Sequence, residues 1–212
     1  MRHRSLPESV HAVLRYRILN NLIPAGAPLL EVPLAKEFGV SRTTIRTAMR
    51  ELQAERLIEI SPRRGSTVSR MSESDAREVC FARYALESVA VRGLDQQGRI
   101  ALADRMDAVV GDMSLHAAAG DLAGMVAADT DFHHLILEAS GHPLVVDIWS
   151  RLSGQMGALM RSLLDGRPMT LHDTVRRHAR LVETFRTSDP DTADDALREH
   201  YVLRELPPLE AD

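Results

Sequence analysis

The sequence predicts a mainly α protein in two parts: an N-terminal winged helix-turn-helix of three helices plus a β-hairpin wing, then an all-α helical bundle. Three observations predict it. Over residues 7–69 short helical patterns are interrupted by turn residues and run into a strand, a tight turn and a second strand. From about residue 74 the apolar spacing is helical throughout, with no period-two alternation. The charge changes sign at the same place: residues 1–70 hold 12 Lys/Arg against 6 Asp/Glu, while the rest holds 14 against 24.

In order along the chain, PESVHAVLRYRILNNL (7–22) places Val10, Val13, Leu14, Ile18 and Leu22 on one helical face, with Pro7 and Glu8 suited to a first turn. IPAGAP (23–28) breaks that helix. A second helix, 32–38, ends at Gly39, and Ser41 caps a third, 42–55. LIEI (57–60), SPRRG (61–65) and STVS (66–69) read as strand, basic turn and strand. The domains are therefore expected at 1–70 and 75–212, joined by a linker at 71–74. In the second, helices are expected near 74–93, 98–119, 121–140, 143–165, 171–187 and 190–205, separated by glycine, proline and aspartate breaks.

Composition narrows the setting. The chain is 44% hydrophobic but only 4% aromatic, so its cores must be mostly aliphatic. One cysteine, Cys80, excludes an intramolecular disulfide and fits a reducing cytoplasm. No apolar run reaches the length of a membrane helix, and the basic start has no apolar stretch behind it to form a secretory signal. Trp149 and Leu152 are expected in the core, and Cys80 as an enclosed thiol. His3, His11, His116 and His172 are expected on the surface.

The third helix carries an arginine ridge. Arg42, Arg46 and Arg50 fall four apart, beside an inward set of Ile45, Ala48, Met49 and Leu52. A helix-turn-helix places the N-terminal residues of its second helix against base edges. Ser41, Arg42, Thr43, Thr44 and Arg46 occupy that end, where arginine can fork onto guanine or clamp phosphate. Arg63, Arg64 and Gly65 form a basic wing tip. The chain has a single lysine, so arginine is its default cation. The coincidence of ridge, wing and local positive charge nonetheless points to double-stranded DNA as partner.

The histidines suggest a second site. Asp129 and His133 are spaced i, i+4, His178 lies on a later helix and His200 on the last. A helical bundle can bring such residues to one point. One carboxylate and three imidazoles suit Zn, Ni, Co, Mn or Fe(II); His134 and His142 are alternative ligands on spacing alone.

Residues 11–70 resemble the DNA-binding domain of GntR-type bacterial regulators, on IPAGAPLLEVPLAKEFGVSRTTIRTAMRELQAERLIEI and PRRGSTV. The resemblance implies DNA contacts at Arg42, Thr43 and Arg46, with Gly65 at the wing tip. Two positions depart: Val32 stands where that family usually has arginine, and Arg56 where it has glycine before the first wing strand. Residues 74–205 resemble the FadR C-terminal ligand-binding domain, or FCD domain, on FARYALE (81–87), FHHLILEASGHPLV following Asp129, His178 and His200. The resemblance implies a divalent metal on Asp129, His133, His178 and His200 that anchors a small carboxylate effector. It also implies that Arg83 faces the same pocket, although its spacing from Glu87 equally allows a helix-surface ion pair. Gln155 and Arg161 are further pocket candidates. His142 replaces a common asparagine.

The expected function is a homodimeric transcription regulator, without enzymatic activity, that reads a palindromic operator and responds to a carboxylate metabolite. The competing readings are a metal-dependent hydrolase or isomerase carrying an accessory DNA-binding-like domain, and a regulator whose metal is purely structural.

Overall fold

The computed structural model describes residues 5–61, 65–70, 72–153 and 170–201. Arg63, Arg64, Gln155, Arg161 and His3 lie outside them. The chain forms two compact units that meet in sequence at residues 71–72.

In the first unit, α1 (Leu6–Leu19) opens with a reciprocal cap between Ser5 and Glu8. It stops three residues short of the expected end because Asn21 takes a left-handed conformation, φ 56°. Then follow β1 (Pro28–Leu29), α2 (Glu31–Phe38), α3 (Arg42–Ala54), β2 (Ile58–Ser61) and β3 (Gly65–Val68). Gly39, at φ 64°, ends α2 in the left-handed region that glycine enters without a Cβ clash, and Ser41 accepts from the Thr44 N–H to start α3. The strands form an antiparallel sheet in the order β1-β3-β2, with Leu29 opposite Ser66 and Ile58 opposite Val68. Strand β1 begins at Pro28, the last residue of the stretch expected to be only a break, and takes in Leu29.

α3 packs on α1 and α2. Leu14, Ile18, Leu19, Ile45, Ala48, Met49, Leu52, Leu57 and Ile58 bury the aliphatic core. Glu55 fastens α3 to α1, accepting from His11 Nε2 at 2.7 Å and from Arg15 Nε at 2.8 Å. His11 is therefore half-buried rather than on the surface. Arg56, where the resemblance leads one to expect glycine, takes φ 53°, so a bulky residue sits in a conformation L side chains disfavour.

The second unit is helical among the described residues: α4 (Glu73–Gly93), α5 (Gln96–Ala119), α6 (Leu122–Ala139), α7 (Pro143–Ser153), α8 (Leu171–Thr187) and α9 (Pro190–His200). Caps set the boundaries. Ser72 and Asp75 form a capping box on α4, Thr170 and Asp173 another on α8, and Asp95, Asp121 and Asp189 cap α5, α6 and α9. Asp95 is why α5 begins at Gln96, two residues before expectation. α5 packs on α6 and α8, while α4 packs on α6, α7 and α9. His116, expected on the surface, is half-buried, with Nδ1 3.1 Å from Asp121 Oδ2. Trp149 is fully buried and Leu152 half-buried.

Candidate nucleic-acid interface and metal centre

On α3, Ile45, Ala48, Met49 and Leu52 turn inward, which leaves Ser41, Arg42, Thr43, Arg46 and Arg50 exposed and Thr44 half-buried. Thr44 is occupied locally, its hydroxyl 2.9 Å from that of Ser41. Gly65 opens β3 at φ 78°. Val32, at the departed arginine position, is exposed on α2. One residue that sequence reasoning passed over joins this face. Glu31, the first residue of α2, accepts from Arg46 Nε at 2.8 Å and from Arg42 Nη2 at 3.1 Å. The Arg46 guanidinium first, then Arg42, holds its carboxyl below the usual range. No periodicity could have revealed this, because the contact joins two helices across the turn.

In the second unit five elements converge on one buried polar centre. α6 supplies Asp129 and His133, α8 His178, and α9 His200 with Tyr201 just beyond it. α4 supplies Arg83 and Glu87, and α7 supplies Trp149. Arg83, Glu87, Asp129, His133 and His178 are buried, and His200 is half-buried. Candidate ligand atoms of His133, His178 and His200 lie within 4.8 Å of one another. Asp129 Oδ1 stands 3.1 Å from His178 Nε2 and 3.9 Å from His133 Nε2.

The hydrogen bonds fix which atoms can bind. His178 Nδ1 is 2.8 Å from the Thr174 carbonyl, so it must be the donor there, and Nε2 is the ring nitrogen that faces Asp129 and the other imidazoles. His133 Nδ1 donates to Glu87 Oε2 at 2.7 Å, which turns Nε2 toward the cluster. Asp129 Oδ2 and His200 Nδ1 are enclosed, with no hydrogen-bond partner among the described residues. Burial first, and then the His178 and His133 rings, push the His200 imidazole well below its ordinary value, so it is neutral. Burial raises the Asp129 carboxyl, but His178, His133 and Arg83 outweigh it and hold it at about 2. An ionised carboxylate beside imidazole nitrogens that face inward is the donor set a divalent cation takes. The residues present fit a metal.

Around them runs a second layer. Glu87 also accepts from Trp149 Nε1 at 2.7 Å and from the Tyr201 hydroxyl at 2.6 Å. Arg83 donates from Nε to the Tyr201 oxygen at 3.0 Å, and its Nη2 lies 3.7 Å from Asp129. The guanidinium stacks 4.6 Å from the Trp149 ring centroid. Arg83 is therefore no surface ion pair. Burial works against its charge, but Tyr201, Asp129 and Glu87 outweigh that and keep it protonated. The two alternative histidines face elsewhere: His142 is exposed, and His134 Nδ1 pairs with Glu138 at 3.4 Å.

The chain matches two family models: bacterial regulatory proteins of the gntR family over residues 6–68, and the FCD domain over residues 78–203. It is 30% identical over 190 residues to a "Probable D-xylose utilization operon transcriptional repressor" of Paenarthrobacter nicotinovorans, covering 90% of this chain and 82% of that one. It is 26% identical over 192 residues to the gluconate operon transcriptional repressor of Bacillus licheniformis, covering 89% and 79%. Among solved structures, a GntR transcriptional regulator from Rhodococcus sp. RHA1 superposes with TM-score 0.76 at 20% identity, over 94% of this chain and 95% of that one. E. coli McbR/YncC does so with TM-score 0.66 at 21% identity, over 95% and 96%. These two likenesses show the fold alone. The family and its relatives are transcription regulators, not enzymes. The chain belongs to the gntR family of DNA-binding bacterial regulators and carries, behind its winged helix, an FCD domain.

Proposed function

We propose that the helical unit is a metal-anchored sensor for a small carboxylate, and that its occupancy alters how a homodimer of this regulator holds a palindromic operator. Asp129, His133, His178 and His200 would hold the divalent ion, which would supply a Lewis-acidic point of attachment for a carboxylate oxygen. The observation that carries this reading is the convergence of His133, His178 and His200 beside Asp129, with Asp129 Oδ2 and His200 Nδ1 enclosed and without hydrogen-bond partners. Burying such groups unsatisfied is costly, and a cation relieves all of them at once. Arg83 gives the pocket a fixed positive charge beside Asp129. Its role is to pair with the effector's carboxylate or to fix the ligands' orientation.

In the other unit, Ser41, Arg42, Thr43, Thr44, Arg46 and Arg50, with the basic wing of Arg63, Arg64 and Gly65, are the DNA contacts of this reading. Two heads on one palindrome require two chains. Phe81, Ala85 and Val89 leave an exposed apolar row, four residues apart, along α4, which supports a partner subunit there. For the effector to act at the operator, it must bind one arrangement of the heads better than another.

Thermal unfolding of the purified protein against a panel of small carboxylates, with bound metal and after chelation, tests the sensor. Stabilisation by one acid that disappears with the metal is the expected result. Stabilisation by metal alone, unaffected by every acid, would instead make the metal a structural element.

A further inference from the structure

Glu31 sits where a DNA-binding surface should least want a carboxylate. It begins α2, half-buried beside the ridge of α3, and takes one donor from each of two arginines. Phosphate contacts give affinity without sequence information, and every anion on such a face weakens them. If tight binding were the only requirement, a neutral residue would serve better. The geometry points to a different role. We propose that Glu31 is a positioning residue for base readout: it holds Arg46 by Nε, so that the two Nη groups at the tip present their fork to a base edge. The proposal rests on the reading of Arg46 as a DNA contact.

Three features support it. The first is the atom used. The 2.8 Å bond engages Nε and leaves the terminal pair of nitrogens, the pair suited to O6 and N7 of guanine. The second is anchorage. The Glu31 side chain is only 28% exposed and lies in the first turn of α2, where the helix dipole favours an anion, while the arginine side chains are 59% and 55% exposed. The less mobile partner therefore sets the position of the more mobile ones. The third is sharing. Because Arg42 Nη2 reaches the other carboxylate oxygen, one residue fixes the spacing of the two leading arginines of the ridge.

Selection from a randomised duplex library with the full-length protein supplies a preferred duplex, and a scrambled duplex of equal composition is the reference. Affinities for both are then measured across a salt series for the wild type, Glu31→Gln and Arg46→Ala. Glu31→Gln is expected to bind the scrambled duplex more tightly and the preferred one less tightly, lowering their ratio about tenfold. Re-selection with Glu31→Gln should relax base preference at the position that Arg46→Ala also loses. A rise on both duplexes by one common factor would overturn the proposal and make Glu31 a mere competing anion. A common fall would reduce it to a fold element. If Glu31→Gln lowers the unfolding temperature, Glu31→Asp, which keeps the charge but shortens the reach, is judged by the same ratio. Undiminished binding by Arg46→Ala would overturn the underlying contact instead, a result separable from an unchanged ratio in Glu31→Gln.

Discussion

His133 Nδ1 and Glu87 Oε2 are 2.7 Å apart, and both side chains are enclosed by protein. The bond settles the tautomer of His133 from a residue 46 positions earlier in the chain. A carboxylate behind a ligating imidazole raises its basicity and holds its ring in place, and loss of such a partner costs about 10- to 100-fold in metal affinity. Glu87→Gln is therefore expected to weaken binding of a divalent ion by about that factor while leaving the Trp149 side chain packed. Competition against a chelator measures the first, and tryptophan fluorescence the second. Unchanged affinity would mean that His133 is not a ligand.

The arginine ridge gives a prediction in the other unit. Arg46→Ala removes a side chain that is 55% exposed, above a core of Ile45, Met49 and Leu52. Its unfolding temperature should stay within a degree or two of the wild type, as for surface changes of about 0.5 kcal/mol or less. Affinity for a selected duplex should fall about tenfold or more, because a forked arginine–guanine contact is worth about 1–3 kcal/mol of discrimination. Circular dichroism and fluorescence anisotropy read the two quantities separately.

Long amphipathic helices were legible because their core faces repeat every three to four residues, and their starts are marked by Ser, Thr and Asp caps. Strand β1 was not: two residues, Pro28 and Leu29, carry no period, and their pairing with Thr67 and Ser66 is a long-range event. α5 was expected late because Gln96, Gln97 and Gly98 read as a break, whereas the Asp95 side chain accepts from the Gly98 N–H and draws all three into the helix. At the site, the i, i+4 spacing of Asp129 and His133 marks a shared face. That His178 and His200 reach the same face depends on how α6, α8 and α9 pack, which spacing cannot supply. Tyr201 escaped notice, and Glu87 was read only as a surface ion-pair partner of Arg83, for the same reason. In sequence Glu87 is a helix acid, and only burial against Trp149, Tyr201 and His133 makes it an orienting group.

At Cys80 burial outweighs the neighbouring charges. Enclosure pushes its thiol up to about 11, so near neutral pH almost none is thiolate. The folded protein should react with iodoacetamide far more slowly at pH 8 than an unfolded chain, whose thiol has an ordinary value of about 8.5. Denaturant should restore full labelling. Fast labelling of native protein, followed by mass spectrometry, would show that the thiol is open to solvent.

The proposed metal site has a thermodynamic signature of its own. His178 is enclosed and reaches Asp129 with Nε2 while Nδ1 is held by Thr174, so His178→Ala deletes one ligand without disturbing the carboxylate's contact with Arg83. In the wild type a divalent ion at a thousand times its dissociation constant should stabilise the protein by about 4 kcal/mol, since it binds only the folded state. The variant should lose bound metal by elemental analysis and also lose the metal-dependent rise in unfolding temperature. Its metal-free form should fall below the metal-free wild type by roughly 1–3 kcal/mol, the cost of leaving Asp129 with one fewer partner. Chelation tells these apart: metal dependence that survives in His178→Ala would place the ion on other ligands, whereas a variant unaffected by either metal or chelator would show that the ligand set fails when α8 is withdrawn.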